Sequence, residues 1–134
     1  MEWRLVGAIV AAGLLATLTD WLFMGVLFQE RYKKYPDTWW PGVAKGNERG
    51  AIVFSSALGF VTAAAVVLLC FYAGVHGLKG ALIVAGLAAA AGPLVIAPTT
   101  GLWVRIDPAV TLAHTMGYVV RFLLAGIAAG IALS

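Results

Sequence analysis

The sequence predicts an all-α protein, a bundle of four transmembrane helices. Of its 134 residues, 62% are hydrophobic and only 11% are charged, whereas a soluble domain carries about 25% charged residues. The mean hydropathy is +0.94, and so much apolar area cannot be buried inside so small a globule. Four apolar segments each reach the roughly 20 residues that a helix needs to cross about 30 Å of hydrocarbon. These predicted spans, which form one transmembrane domain, cover residues 5–28, 51–73, 80–103 and 109–133.

The first span is expected to be a retained helix. Its apolar stretch is longer than the roughly 7 to 15 residues of a signal-peptide core. Ala8, Ala12, Ala16 and Asp20 recur at every fourth residue, which places them on one face of the helix. Small side chains let a second helix approach closely. The first span is therefore predicted to pack through this face, which ends at the Asp20 carboxylate.

The loop at residues 29–50 is the longest polar segment, and it combines aromatic and basic residues. Its aromatic side chains are Tyr32, Tyr35, Trp39 and Trp40. Amphipathic rings of this kind prefer the lipid headgroup level. We therefore expect the loop to lie on the membrane surface with Lys33 and Lys34 facing lipid phosphates. An aromatic belt with basic flanks, which needs no ligand, explains the same composition.

The distribution of basic residues predicts the orientation in the membrane. Six lie on one side, namely Arg31, Lys33, Lys34, Lys45, Arg49 and Arg105, and two on the other, Arg4 and Lys79. Lys and Arg are enriched in cytoplasmic loops. We therefore expect a multi-pass protein of the bacterial inner membrane, with both termini outside the cytoplasm.

Hydroxyl residues and prolines mark the second and third spans. Ser55 and Ser56 in the second span, and Thr99 and Thr100 in the third, lie in the predicted cytoplasmic half. Pro93 and Pro98 each remove a backbone donor and favour a kink or break. Irregular backbone at membrane depth is tolerated where it is buried or lines a wet cavity. Two interpretations stay open: a recess that binds a ligand beside Pro98, and a simple proline kink.

The fourth span carries a polar stripe, because Thr111, His114, Tyr118 and Arg121 are spaced by three, four and three residues. At about 1.5 Å per residue, Asp20 lies within about 6 Å of both His114 and Arg121 along the helix axes. An unpaired charge inside a membrane is costly. We therefore expect Asp20 to accept hydrogen bonds from Arg121, His114 or both.

Near its end, the fourth span contains a GxxxG pattern formed by Gly126 and Gly130. This spacing allows close helix packing. The partner helix could belong to a second subunit or to the same chain.

Other classes of function find little support. The single cysteine, Cys70, excludes an internal disulfide framework. The sequence contains no P-loop, GxSxG or HExxH motif, so we assign no catalytic residue and expect no metal and no cofactor. The basic residues form no dense patch, which argues against nucleic acid. The expected partners are membrane lipids, with a homo-oligomer or a larger membrane complex left open.

Several features resemble a family of small bacterial four-helix membrane proteins, domain of unknown function 1761. They are the Asp20-Trp21-Leu22-Phe23 end of the first span, the basic aromatic loop, the Gly-Leu-Lys-Gly entry to the third span at residues 77–80, and Gly117-Tyr118 in the fourth. The resemblance implies the four-helix topology. It implies no activity, and it does not extend to the trio of Asp20, His114 and Arg121.

Three functions are compatible with these patterns. The first is binding or transport of a small anionic or lipid-like ligand in a cytoplasm-facing pocket. The residues predicted to line this pocket are Asp20, Ser55, Ser56, Thr99, Thr100, His114, Tyr118 and Arg121. The second is a structural or accessory subunit whose charge pair locks two helices together. The third, an enzyme with His114 as general base, lacks a neighbouring nucleophile or metal set.

Overall fold

The computed structural model describes residues 2–44, 46 and 48–134. Among these residues every regular element is a helix, which confirms the all-α prediction. In this described part of the chain, four helices are long and apolar enough to cross a membrane, as predicted, and they cover Glu2–Leu27, Arg49–Tyr72, Gly77–Trp103 and Pro108–Ala132.

The first of these helices changes its winding at Asp20. It begins as α1 (Glu2–Asp20) and continues as a π-helix over Trp21–Leu27. A π-helix is wider than an α-helix, so the residues that follow Asp20 turn onto other faces than a regular helix would give them. Ala8, Ala12 and Ala16 are buried, and α1 packs through them against the third and sixth α-helices described below.

The segment after the π-helix folds back against the bundle. It forms two short 3-10 helices, Gln29–Lys33 and Pro36–Thr38, and a single helical turn, α2 (Pro41–Ala44). The Thr38 hydroxyl donates to the carbonyl of Arg105 at 2.6 Å. The loop is therefore attached to the turn before the last helix. Lys33 pairs with Glu30 and Lys34 with Asp107, and both lysine side chains are exposed, so their contact with lipid phosphates stays a prediction.

The second span is one helix, α3 (Arg49–Tyr72), whereas the third span consists of two helices. The helices of the third span are α4 (Gly77–Ala91) and α5 (Pro93–Trp103), separated by Gly92. Gly92 has a non-helical backbone (φ −114°, ψ −103°), and Pro93 supplies the preset φ that favours the first position of a helix. The break therefore lies at Gly92, and α5 continues through Pro98.

The last helix, α6 (Pro108–Ala132), is the centre of the bundle and packs against α1, α3, α4 and α5. Charged groups stabilise both of its ends. The Asp107 carboxylate caps the first turn by accepting from the backbone N–H of Ala109 at 2.7 Å. At the other end, Arg4 donates to the carbonyl of Ile131 at 3.1 Å. Both contacts match the helix dipole, which is positive at the start of a helix and negative at its end.

Small residues set the distance between the helices. A Cβ atom at Gly126 would lie 2.6 Å from the Cβ atom of Ala85, and one at Gly130 would lie 2.7 Å from the Cα atom of Leu78. The GxxxG pattern therefore packs α6 against α4 within the same chain. Ala and Gly dominate the buried positions, whereas large apolar side chains cover the outside. This distribution is typical of helices that pack in lipid.

Candidate functional site

Five polar side chains gather between α1, α6 and the loop, on the side of the bundle where that loop lies. We call this group the polar cluster, and its members are Asp20, Tyr32, His114, Tyr118 and Arg121. Asp20 is the last residue of α1, and the π-helix begins directly after it. Segments of π-helix occur frequently at functional sites.

An ion pair between Asp20 and Arg121 forms the base of the polar cluster. The guanidinium Nη2 atom donates to the carboxylate Oδ2 atom, as the sequence predicted. Both side chains are largely withdrawn from solvent, with exposed fractions of 6% for Arg121 and 13% for Asp20. The pair therefore joins α1 to α6 in a region of low dielectric constant, where opposite charges attract strongly.

Two glycines make room for this ion pair. A Cβ atom at Gly117 would lie 3.6 Å from the Oδ1 atom of Asp20, and one at Gly59 would lie 3.8 Å from the Cζ atom of Arg121. Gly117 lies on α6, and Gly59 is the point where α3 approaches. A Cβ atom at either position would make an ordinary van der Waals contact with the pair, so these two positions lie directly beside the charged side chains.

Aromatic rings cover the ion pair on the side of the loop. The Arg121 guanidinium lies over the ring of Tyr118, 5.2 Å from its centroid, which is a cation–π contact. The hydroxyl of Tyr118 lies 3.4 Å from Nδ1 of His114. The sequence had left open whether His114 would also bind Asp20. The hydrogen bond described for His114 is the one with Tyr118.

Tyr32 belongs to the polar cluster but was not among the predicted site residues. Its ring lies 5.6 Å from that of His114 and stacks on Trp39 at 5.4 Å. The Trp39 indole N–H also donates to the carbonyl of Tyr32 at 2.8 Å. Burial raises the pKa of the Tyr32 hydroxyl well above its usual range, so this group stays a neutral donor.

Four polar atoms of the polar cluster are buried without a hydrogen-bond partner among the described residues. They are Asp20 Oδ1, Tyr32 Oη, His114 Nε2 and Arg121 Nε. Buried polar groups in folded proteins are nearly always hydrogen-bonded, and each exception needs an explanation. The polar cluster therefore has spare donors and acceptors that a small polar molecule could bind.

The structure does not bring every predicted site residue to this place. Thr99 and Thr100 are exposed, and their hydroxyls donate to the carbonyls of Val95 and Ile96 within the same helix at 2.7 and 2.9 Å. Both hydroxyls are therefore used within α5, whose break from α4 lies at Gly92 and not at Pro98. Ser55 and Ser56 are half-buried. They lie one turn before Gly59 on α3, so their part in binding stays a prediction.

Asp107 holds the loop in place over the polar cluster. Its carboxylate lies 3.1 Å from Nζ of Lys34 and 3.9 Å from Nη1 of Arg31. The hydrogen bond from the Ala109 N–H, followed by the Lys34 ammonium, lowers the pKa of Asp107 below its ordinary value. The bond to Asp107 in turn raises the pKa of Lys34. Because Tyr32 lies in the same short segment as Lys34, this contact covers the polar cluster.

Within the described residues, no group of three His, Cys, Asp or Glu side chains is placed to hold a metal ion. The polar cluster offers instead one guanidinium, one carboxylate, one imidazole and two phenols. These groups can bind an anion, exchange a proton or lock two helices together. The chain matches no protein-family model, no curated protein sequence and no solved structure. The resemblance to domain of unknown function 1761 stays a prediction.

The first prediction concerns the free energy of unfolding in detergent. Asp20→Asn and Arg121→Gln should each lower it by about 3 kcal/mol, because either change leaves the opposite charge buried and unpaired. The double variant should recover part of that loss. A double variant whose loss equals the sum of the single losses would show that the two groups do not interact. The matched control is the exposed ion pair of Glu30 and Lys33. Glu30→Gln and Lys33→Gln should each lower the free energy of unfolding by less than about 1 kcal/mol.

The second prediction concerns the attachment of the loop. Asp107→Asn keeps an acceptor for the helix start but removes the charge that attracts Lys34. A spin label on a cysteine at Asp37, in a Cys70→Ala background, should therefore become more mobile at neutral pH in this variant. A label at His76, on the opposite side, should not change.

The same label should respond to acid when Asp107 is present. The pKa of Asp107 is lowered in the folded state. The ionised carboxylate therefore contributes fully to the free energy of folding at pH values above its ordinary pKa of 3.8. That contribution is lost as the pH falls through the lowered pKa. Label mobility should rise in that acid range, and Asp107→Asn should remove this step. An equal response in both proteins would contradict the role of Asp107.

Proposed function

We propose that the polar cluster binds a small monoanion, or the anionic head of a lipid-like molecule, and takes up a proton with it. The observation that carries the proposal is the set of four buried atoms without partners around one ion pair. Arg121 supports the anionic part of the proposal, because its guanidinium has five N–H donors. The described bonds use the Nη2 atom for Asp20 and leave the Nε atom unpartnered.

Charge balance supports the coupling to a proton. The positive charge of Arg121 and the negative charge of Asp20 already cancel, so a bound anion alone would leave one uncompensated charge inside the membrane. Such a charge is costly in this environment. A proton taken up in the same step removes that cost. His114 is the group that we assign to this role, because a histidine changes charge between about pH 5 and 8 and its Nε2 atom has no partner.

Other titratable groups surround His114 in this proposal. Asp20 lies on α1, Tyr32 on the loop, and Tyr118 and Arg121 on α6. The tyrosine hydroxyls would donate to the anion. Movement of Tyr32 would open the site, and this movement requires the loop to separate from Asp107. The same arrangement would let a transporter admit its ligand from the side of the loop.

A second candidate function is that of a structural or accessory subunit. The direct contact between Asp20 and Arg121 favours it, because this pair connects the end of α1 to the middle of α6, two helices that are distant in sequence. In this case the polar cluster binds nothing, and the chain stabilises a larger membrane complex. An enzyme with His114 as general base receives no comparable support, because the described contacts of His114 are with two tyrosine rings.

We further propose that the protein spans a bacterial inner membrane with both termini outside the cytoplasm. The basic residues of the loop support this orientation, although Lys45 lies outside the described residues. In this orientation the polar cluster opens toward the cytoplasm.

Binding is tested by thermal unfolding of the purified protein with lactate or methanesulfonate, both monoanions, against sodium chloride at equal ionic strength. Uptake of one proton with each anion requires the apparent affinity to rise about tenfold for each unit of falling pH. His114→Gln should remove most of this pH dependence. Lys79→Gln, which removes a charge at the opposite end, should leave it intact. No stabilisation by either anion would favour the structural role, and binding without pH dependence would overturn the proton coupling.

Orientation is tested with single cysteines at Asp37 and Lys79 in a Cys70→Ala background. In intact cells, an impermeant maleimide should label the cysteine at position 79 and should label that at position 37 only after permeabilisation. The opposite result would reverse the proposed topology and would make the polar cluster face outward.

A further inference from the structure

A polar recess lies outside the polar cluster, where the loop meets the turn between α5 and α6. It is a cleft of about 490 Å³, and we call it the interfacial cleft. Its lining consists of Lys34, Tyr35, Pro36, Asp37, Thr38, Val104 and Arg105. The hydrogen bond from Thr38 to the Arg105 carbonyl joins its two walls.

The interfacial cleft contains two cationic groups close to one aromatic ring. The Arg105 guanidinium lies 4.5 Å from the centroid of the Tyr35 ring, and Nζ of Lys34 lies 5.4 Å from the same centroid. Among the described residues Arg105 forms no ion pair. Its planar fork of donors therefore stays available for a bidentate acceptor such as a phosphate.

The position of the interfacial cleft corresponds to the lipid headgroup level. The turn that carries Arg105 connects Trp103, the end of one apolar span, to Pro108, the start of the next. Trp103 is exposed over 85% of its surface, and tryptophan is enriched at the membrane–water interface. A ligand in this cleft is therefore at the depth of phospholipid phosphates.

An apolar surface continues from the interfacial cleft toward the membrane centre. The described residues of α5 include none that is fully buried, and Leu102 is exposed over 84% of its surface. Acyl chains that extend from a headgroup at Arg105 would lie along this helix. The cleft and the helix together offer a polar site and an apolar path to one molecule.

We infer that the interfacial cleft binds the headgroup of a phospholipid. Its phosphate accepts from Arg105 and Lys34, and its acyl chains pack along α5. Asp37, which also lines the cleft, accepts from a donor on the headgroup. This favours a headgroup that carries an ammonium or hydroxyl group, as in phosphatidylethanolamine or phosphatidylglycerol, over phosphatidylcholine, which has no such donor.

Native mass spectrometry of the detergent-purified full chain, titrated separately with these three lipids, tests the inference. The wild type should bind one phosphatidylethanolamine or phosphatidylglycerol more tightly than phosphatidylcholine. Arg105→Gln should weaken this binding about fivefold, the effect of one basic residue at a membrane surface. Arg105→Lys should retain part of it. Arg49→Gln removes the same charge on the same side, outside the cleft, and should bind as the wild type does.

Three results would overturn the inference. Equal weakening by Arg105→Gln and Arg49→Gln would show general attraction to basic residues. Equal affinity for all three lipids would remove the roles of Asp37 and the cleft. Displacement of the lipid by inorganic phosphate at similar concentration would identify a site for soluble phosphate. None of these results depends on the polar cluster, because Arg105 and Arg49 lie outside it.

Discussion

The ion pair between Asp20 and Arg121 is the constraint on which the arrangement of the helices depends. On a helix that spans a membrane, an isolated charge that faces lipid is too costly. The two charges must therefore meet, and this requirement fixes the end of α1 against the middle of α6. Gly117 and Gly59 border the two side chains, so α6 and α3 add no bulk of their own at this point.

Charged groups also fix α6 at both of its ends. Asp107 accepts from the first turn, and Arg4 donates to carbonyls of the last. The contacts of Arg4 and of Arg121 both join α6 to α1, and they set how deeply α6 lies against that helix. The small residues between them allow close packing, but Ala and Gly alone define little about the axial register. The depth of the polar cluster therefore follows from the two charged contacts between α1 and α6.

The helices and the ion pair could be predicted because both follow from short-range patterns. Apolar length predicts a span, and spacings of three and four residues predicted the common face of His114, Tyr118 and Arg121. The break in the third span was harder to place, since Gly92 and Pro93 interrupt the helix while Pro98 is accommodated within it. Thr99 and Thr100 were predicted at the depth of the polar cluster, but their hydroxyls bond to their own helix. The position of a residue along its helix does not show which way its side chain points.

Tyr32 could not be assigned from the sequence, because its place depends on contacts between distant parts of the chain. Loop aromatics next to basic residues are common at membrane surfaces, and composition alone does not show that one ring turns inward. The contacts of Lys34 with Asp107 and of Thr38 with Arg105 bring the loop back. Lys34 also lines the interfacial cleft. The attachment that covers the polar cluster therefore shares a side chain with the proposed lipid site, so a headgroup that binds Lys34 competes with Asp107. Such a link is reciprocal: lipid bound in the cleft would weaken the contact of Lys34 with Asp107, and loss of that contact would leave Lys34 free to bind lipid more tightly.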